Sequence, residues 1–168
     1  MDFILRDWRF DDADSLVFYA DNPRIAVNLR DFFPSPYTAA AAHDFITSCR
    51  RNDPAVTRIL AIDVGGMAVG SIGVLKKDDV YRKSAELGYW LGEPFWGQGI
   101  MTRAVCELCQ TAFENMDIIR IFAEPFAWNT GSRRVLEKAG FALEGILKNS
   151  VYKNGRLGDS CVYARIRE

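Results

Sequence analysis

The sequence predicts a mixed α/β fold, a central mixed sheet of about seven strands flanked by about four helices. Three observations carry this. Apolar residues recur at the helical i, i+3, i+4, i+7 spacing in three stretches, runs rich in β-branched residues lie between them, and turn signals such as Gly65-Gly66 and Asn154-Gly155 separate the runs. With 168 residues, 49% of them hydrophobic and 26% charged, the chain has the length and mix of one domain spanning residues 1–168.

Phe3 to Trp8 reads as a short strand. Asp11 is placed to cap a helix with apolar positions Ala13, Leu16, Val17 and Ala20, and Asn22-Pro23 stops it. The stretch LRDFFPSPYT, residues 29–38, predicts an ordered loop because its prolines break a helix. Thr38 then caps a second helix with the stripe Ala42, Phe45, Ile46 and Cys49, ending near Asn52-Asp53-Pro54. The period changes over Thr57 to Val64 and Met67 to Leu75, two strands joined at Gly65-Gly66. A polar loop over Lys76 to Lys83 leads to a strand from Ala85 to Leu91. GEPFWGQG runs into a long helix from about Ile100 to Asn115, with Met101, Ala104, Val105, Leu108, Ala112 and Phe113 on one face. Ile118 to Glu124 is a strand, and Asn129 to Ala139 is a helix closed by Gly140. Two last strands, Phe141 to Tyr152 and Ser160 to Ile166, flank a tight turn at Lys153-Asn154-Gly155-Arg156.

Several function classes drop out early. Lysine plus arginine total 21 against 22 acidic residues, so the net charge of -1 supplies no field for a polyanion, and nucleic-acid binding is not expected. The start, MDFILRDWRFDD, lacks the basic flank and apolar run of a secretion signal, and nowhere do about 18 apolar residues run together. A cytoplasmic protein with no membrane partner is expected. Four cysteines and the lone His43 make neither a disulfide framework nor a zinc site, and Cys106 and Cys109 fall inside a helix as packing residues. His43 among alanines fits a solvent-facing or partly packed position, and no triad is suggested near it in sequence.

Gly97-Gln98-Gly99 stands between a strand and the start of the longest helix. The first turn there leaves backbone N–H groups unpaired, and the helix dipole favours an anion, so a phosphate or pyrophosphate is the natural ligand. The same glycines also suit a plain tight turn from strand to helix. A nucleoside triphosphate loop is excluded, because Gln98 and Gly99 occupy the positions of the required lysine and hydroxyl. A dinucleotide fingerprint is excluded by Thr102, where a third glycine or alanine is needed.

The stretch AELGYWLGEPFWGQGIMTRAV, residues 85–105, followed by NTGSRRVLEKAGF, residues 129–141, resembles the acetyl-CoA-binding core of the GNAT superfamily of N-acetyltransferases. More narrowly, it is similar to the branch that acetylates ribosomal-protein N-termini and related amines. The element order matches along most of the chain, and LEG at 143–145 and YKNG at 152–155 are similar to the family's last hairpin.

The resemblance implies a GNAT-type, mostly antiparallel sheet splayed between its fourth and fifth strands, with acetyl-CoA as co-substrate inserted into the opening and no metal. It implies a bulge at Gly88, backbone pairing of Tyr89 and Leu91 with the pantetheine arm, and pyrophosphate binding by the N–H groups of Gly97, Gln98, Gly99, Ile100, Met101 and Thr102. Asn129 and Ser132 match the family's N-x-x-S and join the cofactor site, although asparagine and serine are also ordinary residues at a helix start. The loop residues Asp31, Phe32, Phe33 and Tyr37 border the acceptor side by the same resemblance, or simply pin the loop to the core.

This chain departs from the superfamily at three places. Pro94 replaces a side-chain anchor before the glycine turn, Leu136 stands where many relatives place a tyrosine acid, and Val151 where some place a glutamate. That leaves Ser132 to protonate the departing thiolate and Glu86 to take the amine proton, directly or through water, unless Glu86 is an ordinary hydrogen-bonded carboxylate. An α-amine of pKa about 7.7 to 8.0 is about a tenth neutral at pH 7, whereas a lysine near 10.4 is neutral in under about one part in a thousand. The gap, about 3.4 kcal/mol, favours an N-terminal or similarly acidic amine if Glu86 is dispensable.

The expected activity is therefore acetyl transfer from acetyl-CoA to a primary amine, on a protein N-terminus or a small molecule, by direct attack in a ternary complex. The three departures motivate an alternative, a CoA-binding sensor or regulatory protein that has lost turnover. A longer acyl group and a homodimer both stay open.

Overall fold

Strand alternation sorts the apolar residues onto two faces, and each face recruits its own helices. The computed structural model describes residues 1–167. Its elements are β1 (Ile4–Arg6), α1 (Ala13–Ala20), α2 (Pro23–Ala26), α3 (Ala39–Arg51), β2 (Thr57–Val64), β3 (Met67–Lys76), β4 (Ser84–Leu91), α4 (Ile100–Asn115), β5 (Arg120–Ala123), α5 (Thr130–Lys138), β6 (Ala142–Lys153) and β7 (Arg156–Ile166). Seven strands form one sheet in the order β1-β2-β3-β4-β5-β7-β6. All neighbours are antiparallel except β4 and β5. Leu60, Ile62, Val69 and Leu87 pack against Ile100, Val105 and Leu108 of α4 and Leu136 of α5. Trp8, Ala61 and Ala68 pack with Leu16 of α1 and Ile46 of α3 in a second core.

The mixed, splayed sheet is as expected, with differences at several ends. Asn22-Pro23 ends α1 but also starts α2, since the Asn22 side chain accepts from Arg24 N and Pro23 opens the helix. There are thus five α-helices where about four were expected. Asp11 caps nothing: residues Phe10–Asp12 form a 3₁₀ turn, and α1 begins at Ala13. The Asp12 carboxylate instead takes both terminal nitrogens of Arg6 at 2.7 Å and the Arg9 N–H at 2.8 Å, while Arg6 Nε donates to Asp63 at 2.6 Å. This buried triad ties β1, α1 and β2 together. The expected hairpins are present, with φ of 62° and 89° at Gly65 and Gly66, and 50° and 77° at Asn154 and Gly155. β7 starts directly after the second turn, at Arg156 and not Ser160.

The bulge expected at Gly88 is absent. Gly88 faces Gly73 in a register with β3 that runs unshifted from Ala85 to Leu91. The sheet's shifts lie at Ile62/Asp63 in β2 and within β6. The opening needs no bulge, because β4 and β5 pair only at Ser84–Arg120, Ala85–Ile121 and Glu86–Phe122. β5 ends at Ala123 while β4 continues to Leu91 against β3 alone, so one edge of β4 is left bare.

Candidate active site

The bare edge has a defined polarity. Lys77 N donates to Ser84 O at 2.9 Å and Gly92 N donates to Val69 O at 2.7 Å, so even-numbered β4 residues turn their peptide groups to β3. The C=O of Leu87 and the N–H and C=O groups of Tyr89 and Leu91 therefore face the opening, the Leu87 N–H being used in the last pairing with Phe122 of β5. The Leu91 carbonyl is already taken by the Trp96 indole N–H at 2.7 Å. Tyr89 keeps both main-chain groups open and Leu91 its N–H, which narrows the expected pairing with a pantetheine arm.

Beside this edge the chain turns into α4. Gly97 and Gly99 both have φ of 73°, a left-handed conformation in which a Cβ is strained. A Cβ at either would meet nothing within 4 Å, so the turn borders open space. The first helical bond is Arg103 N to Gly99 O at 3.2 Å, and the N–H groups of Gly97 to Thr102 have no acceptor among the described residues. Six adjacent donors at the positive end of a 16-residue helix have the charge and geometry to hold an anion such as a diphosphate. They border a cleft of about 560 Å³ between β4, this turn and α5. Gln98 contributes only main chain, since its amide donates back to Pro94 O at 3.0 Å. Trp96 lies along the wall under the Arg24 guanidinium and does not block the turn.

The opposite wall is the start of α5. Asn129 Oδ1 accepts from Ser132 N at 3.2 Å, so Asn129 caps the helix while lining the cleft. Ser132 Oγ lies 2.8 Å from the Tyr89 hydroxyl, which is also 3.2 Å from the Ser132 carbonyl. Burial pushes the Tyr89 phenol above its usual range, so it stays protonated. Sequence reasoning assigned only Tyr89's backbone and missed this side chain. Alternation was the available signal, because Tyr89 shares the α4-facing side of β4 with Leu87 and Leu91. Leu136, where many relatives carry a tyrosine, is fully buried core.

Glu86 is on the other face of β4. Its carboxylate accepts from Lys77 Nζ at 2.8 Å and from Arg30, which also stands 3.9 Å from Glu124. Burial alone would raise the Glu86 pKa, but the hydrogen bond from Lys77 and the charges of Arg30 and Lys77 outweigh it, and the carboxyl sits below its ordinary value. Asp31 pairs with Lys153 at 2.7 Å, joining the loop to the far end of β6. Phe33 packs on Trp90 with ring centroids 6.1 Å apart. Asp31 and Phe33 thus lie near the Arg30–Glu86 pair, on the face of β4 away from Tyr89; neither they, nor Glu86, nor Phe32 and Tyr37 line the cleft itself. Tyr37 is 5% exposed within the second core and Phe32 is 83% exposed on the surface. The plainer expectation of a loop pinned to the core fits Phe33 and Tyr37 but not the exposed Phe32. Arg30, Lys77 and Glu124 were missed, and nothing in their spacing signals them.

Among the described residues no group of His, Cys, Asp and Glu could hold a metal ion, and no helix is long and apolar enough to cross a membrane. His43 is exposed and stacks on Phe10.

Comparisons with known proteins agree with this geometry. Residues 2–142 match the family described as "Acetyltransferase (GNAT) domain". The chain is 32% identical over 152 residues to the "Putative ribosomal N-acetyltransferase YdaF" of Bacillus subtilis, covering 90% of this chain and 76% of that one. Among solved structures, RimL, titled a ribosomal alpha-N-protein acetyltransferase in complex with coenzyme A, superposes with a TM-score of 0.86 at 24% identity, over 97% of this chain and 93% of that one. The microcin C7 self-immunity acetyltransferase MccE, in complex with acetyl-CoA and AMP, gives 0.84 at 24% identity, over 98% and 92%. At those identities the two structures speak to the fold.

Proposed function

We propose that this chain, which belongs to the GNAT acetyltransferase family, acetylates the α-amine of a protein N-terminus, or a small-molecule amine of similarly low pKa, by direct attack in a ternary complex. Family membership makes it an acetyl-CoA-dependent N-acetyltransferase. The finer reading is supported chiefly by one observation, the run of unpaired N–H groups from Gly97 to Thr102 beside the bare edge of β4.

When bound, the thioester supplies the acyl carbon. The Gly97–Thr102 amides hold the diphosphate, Tyr89's main chain pairs with the pantetheine arm, and an N–H of the bare edge polarises the carbonyl. Asn129 fixes the α5 terminus so that Ser132 lines the cleft, where it would meet the sulfur of the bound thioester. Glu86, ionised and held by two cations, is a weak proton acceptor, and it serves the amine through water. A weak base suits an acceptor that is already partly neutral, which argues for an α-amine over a lysine. The named residues lie in one chain, so the reading holds for a monomer or a homodimer, acting as one domain in the cytoplasm.

Mass spectrometry of peptides incubated with acetyl-CoA tests it. A peptide with a free N-terminus is expected to gain one acetyl group much faster than an N-terminally blocked peptide bearing lysine. Tight CoA binding with no acetylation of any amine in a broad panel would overturn the reading, as would a preference for lysine.

A further inference from the structure

We infer that Tyr89 positions Ser132, donating its hydroxyl proton to Ser132 Oγ so that the serine's own proton points into the cleft and stabilises the departing sulfur as a thiolate. This rests on the proposed acetyl-transfer reading and deepens its last step.

The geometry leaves two arrangements of the hydroxyl protons. At 2.8 Å one proton lies between the two oxygens. If Ser132 donated it, the Tyr89 proton would go to the Ser132 carbonyl at 3.2 Å, and Ser132 would show only lone pairs to a ligand. If Tyr89 donates it, both protons are used in a chain, phenol to alcohol to sulfur, in which each bond strengthens the next. The 2.8 Å contact is kept in both; the second arrangement gives up only the longer 3.2 Å bond, leaves the carbonyl to the α5 ladder and gains a donor aimed at the ligand. Both side chains line the cleft, and the Asn129 cap fixes the serine's backbone.

The acidities decide between donating a hydrogen bond and surrendering a proton. A thiol titrates near about 8.5, well below an alcohol and below a phenol raised by burial from its ordinary 10.0. Full transfer from this pair to the thiolate is uphill, so the sulfur leaves as an anion held by the Ser132 O–H. The carbon–nitrogen bond forms, the carbon–sulfur bond breaks with its electron pair on sulfur, and the nitrogen's proton passes to water on the Glu86 side. Solvent then protonates the thiolate, giving one amide and one thiol. Tyr89 is thus a positioning residue, and Ser132 serves as a hydrogen-bond donor in place of the proton source expected from the sequence.

The test reads the thiol of CoA bound to the protein, following thiolate absorbance in the ultraviolet against pH. In the wild-type complex the bound thiol is expected to titrate below free CoA. Tyr89→Phe and Ser132→Ala should each move it back toward the free value, and the double variant no further. Turnover should follow, with kcat falling about two- to tenfold in Tyr89→Phe, the worth of one hydrogen bond, and the KM for acetyl-CoA within about twofold. A Tyr89→Phe titration like wild type, with Ser132→Ala shifted, would overturn the positioning role. Wild-type bound thiol titrating like free CoA would overturn the thiolate site itself. Should Tyr89→Phe lose CoA binding, 3-fluorotyrosine in place of Tyr89 supplies a more acidic donor, and an unmoved titration there also overturns it. A shifted thiol in a protein that acetylates no amine would count against the proposed function and leave this inference standing.

Discussion

The two sides of the opening are built from different material. On the proposed donor side the groups offered to a ligand are main chain: the amides of Gly97 to Thr102 and the bare edge of β4, set by two left-handed glycines and a seven-residue register with β3. On the acceptor side they are long side chains, Glu86, Lys77, Arg30, Glu124, Asp31 and Lys153, held mostly by ion pairs at partly exposed positions. A main-chain cradle is as rigid as the fold and recognises charge and spacing. Paired side chains can exchange partners when a cationic amine arrives, so this side is expected to set the choice of acceptor.

The sharpest break of that contrast is Gly99→Val. The left-handed φ costs a non-glycine residue about 1–2 kcal/mol. The side chain would also project into the open space proposed for the diphosphate, at the expense of hydrogen bonds to a charged group worth about 1.5–3 kcal/mol each. The strain weakens the fold, and the loss of two such bonds amounts to at least about a hundredfold in acetyl-CoA affinity, measured by titration calorimetry. Because no protein atom is displaced, the melting temperature should fall only by what the strained φ costs, about 2–8 °C. Wild-type affinity in this variant would remove the main-chain cradle from the site.

That contrast also explains what was legible in the sequence. The strand order, both two-residue hairpins and the α4 turn could be read because glycine spacing and apolar period are local signals. The phosphate-binding turn followed from them, and the rest of the donor side came from the family resemblance. The Gly88 bulge failed because a glycine inside a strand marks either a bulge or an open face, and here no atom lies within 4 Å of the added Cβ. The acceptor side was hardly legible: Arg30 and Glu86 are 56 residues apart, and Asp31 and Lys153 are 122 apart. No periodicity joins such pairs. Tyr37 looked like a loop residue available to a substrate, but the turn of the loop carries it into the second core.

Glu86→Gln sharpens the comparison on the acceptor side. Because Lys77 and Arg30 hold the carboxyl below its ordinary 4.5, it is ionised throughout the neutral range and contributes no titration there. In both wild type and variant, kcat/KM should rise with pH toward the amine's own value, about 7.7 to 8.0 for an N-terminus. The variant should lie about tenfold lower with the same shape, less than the roughly hundredfold or more of a well-matched base, because a carboxylate held below its ordinary value is a weak one. The linked stability runs the other way: the Glu86 ion pairs stabilise the fold above pH 4.5 and are lost as pH falls through the depressed folded value. The wild-type protein should therefore lose more stability than Glu86→Gln on acidification below 4.5. A changed pH profile between about 6 and 9 would mean that Glu86 titrates there, and the weak-base reading would go.

The smallest expected effect comes from Lys153→Ala. Lys153 is nearly covered, its side chain 10% exposed, but its partner Asp31 is 80% exposed, so water screens the pair. Its loss should cost under about 1 kcal/mol of stability, a shift of a few degrees in melting temperature. What the pair does is hold the loop around Asp31 against the end of β6. Freed from it, the loop should raise the acceptor KM by about two- to threefold, the kinetic counterpart of such a weak contact, while acetyl-CoA affinity stays at the wild-type value. Calorimetry and steady-state kinetics on the same preparation separate the two quantities. If acetyl-CoA affinity moves and the acceptor KM does not, the loop belongs to the donor side, and the division of labour between main chain and side chains is wrong.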